Sequence, residues 1–264
     1  MYIEDIAQNA QLYLLLLARI VAMVQVAPLI SSSAIPQMAK IGLSFFAAAA
    51  IFPWVAETGY LIPETGLGYT AVLIGEVLLG IVTGFILQIV YSAFLVAGQF
   101  FSLQMGFSAS QVYDPLAQIE IPIMGQFLNL IAMFVFISVA GFQKLFIIGV
   151  IRSFESVRAI DFVLQRDFLF NLFLKSIGNL FKHSLTIAFP IVGTLLLVNI
   201  SMGLLAKAAP QMNLLMMGFP VAIAVAFFIL FMTLPSIIEA FGRIIDASFL
   251  QIMDFFERGG GGGL

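Results

Sequence analysis

Long stretches without a charged residue set the pattern of this chain. No Asp, Glu, Lys or Arg falls within 20–39, 77–113, 121–143, 183–206 or 208–238. A helix needs about 20 consecutive apolar residues to cross a hydrocarbon core roughly 30 Å thick, and several of these runs reach that length. The pattern predicts an all-α, polytopic integral membrane protein of about six hydrophobic helical segments, arranged as hairpins, some of them broken or over-long. Phe residues are spread through the runs instead of alternating with polar ones, which argues against a transmembrane β-barrel.

The first segment covers 11–35 and closes on Ser31-Ser32-Ser33 and Pro36. The second, 41–56, opens after Lys40 and is short for a span. The third runs from 67 to 103, about 55 Å as one helix, so it is expected to break, lean or protrude into protein, with Gly98 the weak point. The fourth covers 121–151, the fifth 183–206 and the sixth 212–238, with Pro220 near its start and Pro235 near its end. Between the fourth and fifth lies the most charged stretch, 152–182, where Asn171, Lys175, Asn179 and Lys182 share one helical face opposite Phe and Leu. That face fits an interfacial amphipathic helix or a solvated side of a packed hairpin equally well.

Composition agrees with the pattern. Apolar residues make up 62% and charged residues 9%, and the mean hydropathy is +1.11. With no Cys and one His, disulfides, thiolate metal sites and a Cys nucleophile are excluded. The net charge of −3 gives no footprint for nucleic acid. The N-terminal MYIEDIAQ lacks the basic region of a cleaved signal, so 1–19 is expected to remain in the mature chain. If all six segments cross, Lys144, Arg152, Arg158, Arg166, Lys175, Lys182, Arg243 and Arg258 share one side and Lys40 and Lys207 the other, which puts both termini in the cytoplasm.

Few residues inside the apolar runs carry chemistry. Arg19 lies among Leu, Ile and Ala and needs a carboxylate, a carbonyl or a nearby interface. Glu76 lies about ten residues into the third segment, and four-residue steps from it meet Gly80, Gly84, Gln88 and Ser92. Gly80 and Gly84 form a GxxxG pair, which lets membrane helices approach closely. The ridge reads as an interhelical seam, with Glu76 touching a neighbour or lining a path, or else sitting near the headgroups. His183 and Lys207 read as structural, Lys207 as a cap on the fifth segment.

Two connectors stand out. The polar loop 104–122 (QMGFSASQVYDPLAQIEIP) has flexible points at Gly106 and Ser108 and a turn initiator at Asp114-Pro115. It is longer than a plain hairpin needs, and reads as a lid-like element or an exposed connector. In 202–220, Pro210, Gln211 and Asn213 separate two very apolar segments, the second opening on Gly218-Phe219-Pro220. Non-helical backbone at membrane depth survives only inside protein or beside water, so this is a tight turn or a shaped piece of interior. Met212, Met216 and Met217 suit an adaptable seal or ordinary core filling. No G-x-S-x-G, Walker-type, H-E-x-x-H or paired-carboxylate set appears, so nothing supports catalysis.

Several stretches together resemble the FliR family of flagellar biosynthesis and its counterparts in virulence type III secretion. They are Arg19, Pro28, Pro36 and Lys40; then Gly80, Gly84, Gln88, Gly98, Gln104, Met105, Gly106 and Asp114-Pro115; then Pro210, Gln211, Asn213, Gly218, Phe219 and Pro220. The likeness spans nearly all of 11–256. Departures are Gln99, where relatives often carry a carboxylate, the Gly141-Phe142-Gln143 link without a histidine, and Ser153-Phe154 without a following proline.

The resemblance implies a single export-gate domain over 1–258. Its parts are the first three segments (11–103), a plug-like loop (104–122), a fourth segment (123–151), the charged amphipathic region (152–182) and a C-terminal hairpin (183–258). A Gly-rich tail, 259–264, resembles a flexible linker or fusion scar. It implies a non-enzymatic subunit, without cofactor, assembled with several FliP and FliQ copies in the bacterial inner membrane at the flagellar basal body, with FlhB around the cytoplasmic side. Unfolded flagellar proteins would be the passengers. Met105, Gly106, Phe107, Ser110, Tyr113, Asp114, Pro115, Glu120 and Pro122 would belong to the plug. Arg19, Glu76, Gly80, Gly84, Gln88, Gly98, Gln99, Pro210, Gln211, Asn213, Gly218 and Pro220 would serve helix packing and assembly. The alternative is a free-standing secondary transporter for a small solute or ion, with Glu76, Asp114 and the Pro/Gln/Asn break forming a midplane site.

Overall fold

The protein is described by a computed structural model that places residues 9–106, 123–156, 166–209, 211 and 214–259. Every regular element among these is helical: α1 (Ala10–Val26), α2 (Gln37–Ala56), α3 (Gly66–Gln104), α4 (Ile123–Ser138), α5 (Gly141–Phe146), a π-helical turn (Ile147–Arg152), α6 (Ser153–Ser156), α7 (Arg166–Ala208) and α8 (Leu214–Gly259). Within the described residues, Gln37–Ala56, Gly66–Gln104, Phe170–Ala208 and Met216–Glu257 are long and apolar enough to cross a membrane, and the broken pair after Ile123 makes a fifth if it counts as one span. The all-α, multi-pass expectation holds.

The helix boundaries correct several expectations. Of the outcomes open for the third segment, a break at Gly98 is not the one found: α3 is one over-long helix of 39 residues that continues through Gly98. The charged stretch and the fifth segment are not separate, because α7 continues unbroken from Arg166 through Lys182 and His183 to Ala208. The sixth segment does not end near Pro235; α8 carries on to Gly259 with Pro220 and Pro235 inside it. The first segment, by contrast, is shorter than expected, since α1 stops at Val26. The fourth is interrupted at Ala140, which sits in the left-handed region at φ 56°.

The chain forms two compact units, each assembled from separated stretches. The first unit comprises Met1–Val90, Ile137–Ser176 and Ile245–Leu264. Here α1 and α2 make a helical hairpin. Tyr13 meets the rings of Phe45 and Phe52 edge-on at 5.8 and 5.9 Å, and its hydroxyl donates to the Phe45 carbonyl at 3.1 Å. The turn between them is tied by Lys40, whose buried ammonium donates to the Ser31 carbonyl at 2.9 Å. That bond satisfies a cation which would otherwise be expensive to bury. Elsewhere in this unit Phe85 stacks on Phe173 at 4.4 Å, and Lys144 pairs with Asp246 at 2.6 Å.

The second unit comprises Tyr91–Phe136 and Ile177–Ile244. Its core joins α3 to α4, α7 and α8. Phe94 stacks on Phe241 at 4.0 Å, the Ser184 hydroxyl donates to the Ala93 carbonyl at 2.9 Å, and the Tyr91 hydroxyl donates to the Asn129 carbonyl at 2.8 Å. Gly98 is the point where α3 and α4 nearly touch: a Cβ there would overlap the backbone of Gly125. A glycine expected to weaken the helix therefore serves close packing, as small residues do between membrane helices. Gly98→Val is expected to destabilise this unit by about 1–3 kcal/mol through overpacking, read as lower membrane accumulation and a lower unfolding temperature in detergent.

Candidate functional site

Arg19 and Glu76 meet. Arg19 lies nine residues past the start of α1 and Glu76 ten past the start of α3. The two helices run parallel, because residue numbers climb together along their contact. The Tyr69 hydroxyl donates to the Gln11 carbonyl at 3.1 Å, the Arg19 Nε donates to Glu76 Oε2, and Gly84 faces the Met23 carbonyl. Both members of the pair are fully buried. Charges at similar depth on parallel helices are thereby brought side by side.

Further groups complete the cluster. The Tyr60 hydroxyl donates to Glu76 Oε1 at 2.7 Å. A second Arg19 nitrogen, Nη1, donates to the Ser153 hydroxyl, and that serine in turn reaches the Gly149 and Val150 carbonyls at 2.9 and 2.7 Å. These carbonyls belong to the π-helical turn Ile147–Arg152, and the serine bonds back to them as Ser commonly does to carbonyls three and four residues before it. The guanidinium lies over the Phe154 ring at 3.7 Å from its centroid, and Phe154 meets Tyr60 edge-on at 5.4 Å. A desolvated cation–π contact of this kind is worth on the order of 2 kcal/mol. The cluster thus ties α1, the α2–α3 loop, α3 and α6 together, while the remaining guanidinium nitrogen, Arg19 Nη2, is buried without a hydrogen-bond partner.

The glycines permit that approach. A Cβ at Gly80 would overlap the Arg19 carbonyl, and one at Gly84 would stand 2.8 Å from the Met23 carbonyl. Gly149 packs against the same seam, where a Cβ would lie 3.0 Å from Thr83 Cγ2 and 3.2 Å from the Met23 sulfur. Without these absences of side chain, α1 could not come close enough for the ion pair to form.

The remaining sequence-singled residues are scattered. Gln88 is half-buried further along α3, and Gln99 is exposed. Met105 is buried and Gly106 adopts φ 80°, where a Cβ would overlap the Phe219 ring. Gln211 is exposed in the link between α7 and α8, Gly218 is half-buried and Pro220 exposed in the second turn of α8. Pro210 and Asn213 lie outside the described residues, as do Phe107, Ser110, Tyr113, Asp114, Pro115, Glu120 and Pro122. Among the described residues no group of three or more His, Cys, Asp or Glu is placed to hold a metal ion.

Reading the sequence missed Tyr60, Ser153 and Phe154, and treated Arg19 and Glu76 separately. One signal was present: each is a lone charge at nearly the same depth in its apolar segment.

A polytopic helical membrane protein built around glycine-lined seams and an internal ion pair is the class these features define. Residues 10–248 match the family described as bacterial export proteins, family 1, and the chain belongs to that family. It is 31% identical over 221 residues to the flagellar biosynthetic protein FliR of Bacillus subtilis, covering 83% of this chain and 84% of that one. It is 31% identical over 192 residues to FliR of Borreliella burgdorferi, covering 72% and 71%. With FliR of Escherichia coli the identity is 26% over 247 residues, covering 94% and 93%.

Removing one partner of a buried pair strands the other charge, at a cost of about 3–5 kcal/mol, whereas apolar replacement of both is often neutral. Glu76→Leu alone is therefore expected to abolish stable accumulation in membranes. Arg19→Met combined with Glu76→Leu should recover most of it, as judged by immunoblot and detergent melting curves.

Proposed function

We propose that the chain is a non-enzymatic subunit of the flagellar type III export gate. In this reading it forms, with FliP- and FliQ-type subunits, the inner-membrane channel for unfolded flagellar proteins at the basal body, with FlhB on the cytoplasmic side. Family membership and the FliR relatives support the reading.

The physical observation that carries it is the exposed apolar surface of the long helices. Large apolar side chains from Phe170 to Leu205 are exposed along α7, among them Phe181, Phe189, Leu197 and Ile200. That stripe is about 52 Å long at 1.5 Å per residue, against a hydrocarbon core of roughly 30 Å. Fitting it within the core needs a tilt of about 55°, outside the observed range of about 0–40°. Cover by neighbouring protein chains accounts for a stripe of this length better than lipid alone, which supports the reading.

The loop 104–122, with Met105 and Gly106 among its residues, is assigned the role of a plug. The transporter alternative loses support because Glu76 is engaged internally by Arg19 and Tyr60.

Extraction in a mild detergent should yield the chain together with several small hydrophobic partners; a monodisperse, stably folded solitary chain would overturn the assignment. Deleting 107–120 in an assembled gate should make cells leaky to small solutes, and unchanged permeability would remove the plug role.

A further inference from the structure

At the C-terminal end of α2 a notch of about 500 Å³ is lined by Ala49, Ala50, Pro53, Trp54 and Glu57. Its chemistry is one-sided. Pro53 has no N–H to return to the Ala49 carbonyl, so that carbonyl lacks its usual donor four residues on. Glu57 is exposed and makes none of the ion pairs found among the described residues. The C-terminal end of a helix carries partial negative charge. Trp54, 58% exposed, offers an indole face beside these acceptors. The lining holds no cation of its own.

Acceptors plus a π face select a cation that can donate hydrogen bonds, which is a primary ammonium and not a quaternary one. What carries the ammonium follows from the surface that leads away from the notch. Four-residue steps back along α2 from Ala50 meet Phe46, Gly42 and Met38. Phe46 and Met38 are 73% and 82% exposed, and Gly42 has open space where a side chain would stand. From Glu57 to Phe46 is about 16 Å of helix, close to half of a core roughly 30 Å thick. Helix α2 is itself apolar and long enough to cross a membrane, and Trp is enriched at the membrane–water boundary.

We propose that the notch is a binding site for the ammonium headgroup of a phosphatidylethanolamine-type lipid. The ammonium donates to the Glu57 carboxylate and the Ala49 carbonyl and lies against Trp54, while an acyl chain follows Ala50, Phe46 and Gly42. A lysine from a partner protein would satisfy the acceptors but leaves the continuous apolar stripe beneath them unused.

The chain contains a single tryptophan, so the difference between wild-type and Trp54→Phe complexes isolates the Trp54 emission. The full chain in its native complex is placed in bicelles carrying acyl-brominated phosphatidylethanolamine or equally brominated phosphatidylglycerol at the same mole fraction. Phosphatidylethanolamine is expected to quench Trp54 with a preference of about two- to fivefold, the size of an exposed cation–π contact. Glu57→Gln should lower the preference and Glu57→Asp should retain it. Equal quenching in the wild type, quenching by neither lipid because protein covers Trp54, or a preference unchanged by Glu57→Gln would each overturn the site.

Discussion

A lone charge does not persist in the interior of an apolar protein, and the first unit is organised by that constraint. Arg19 and Glu76 are both withdrawn from solvent, and each is stable there only because the other is present. The pair fixes which turn of α1 faces which turn of α3. It also recruits the π-helical turn through Ser153 and the α2–α3 loop through Tyr60. Apolar side chains alone would let parallel helices slide with little penalty; a buried ion pair admits one register.

The second unit reaches comparable closeness without a buried charge pair among its described residues. Gly98 against Gly125, and Gly106 against Phe219, bring backbone and ring to distances that a methyl group would prevent. Hydroxyl groups then supply direction, with Ser184 and Tyr91 each donating to a main-chain carbonyl of a neighbouring helix. Surface that neither unit covers is largely apolar, including Phe189, Phe228 and Phe231. This is the character expected of helices whose solvent is lipid or other helices.

Much of this was legible in the sequence. Charge-free runs located the spans, and the Gly80–Gly84 spacing marked a seam. Which helix fills that seam was not legible, because the partner of α3 depends on how the chain folds back over the 57-residue separation of Arg19 and Glu76. Gly98 was misread because local propensity treats glycine as a weakness, while tertiary packing uses the missing side chain. Pro220 and Pro235 looked like helix ends for a similar reason. In an apolar setting a helix absorbs a proline more readily than it gives up the backbone bonds on either side. The contribution of Ser153 and Phe154 could not be read locally, since it depends on a π-helical turn that no pattern announces.

The parallel pairing of α1 with α3 also has a consequence in time. Glu76 follows Arg19 by 57 residues, so at a synthesis rate of 5–20 residues per second the guanidinium waits roughly 3–11 s for its counter-ion. Helix α1, at 17 residues, is also short for stable residence in a bilayer on its own. An α1 that entered the bilayer ahead of α3 would carry Arg19 without its counter-ion, an expense that the arrival of Glu76 removes.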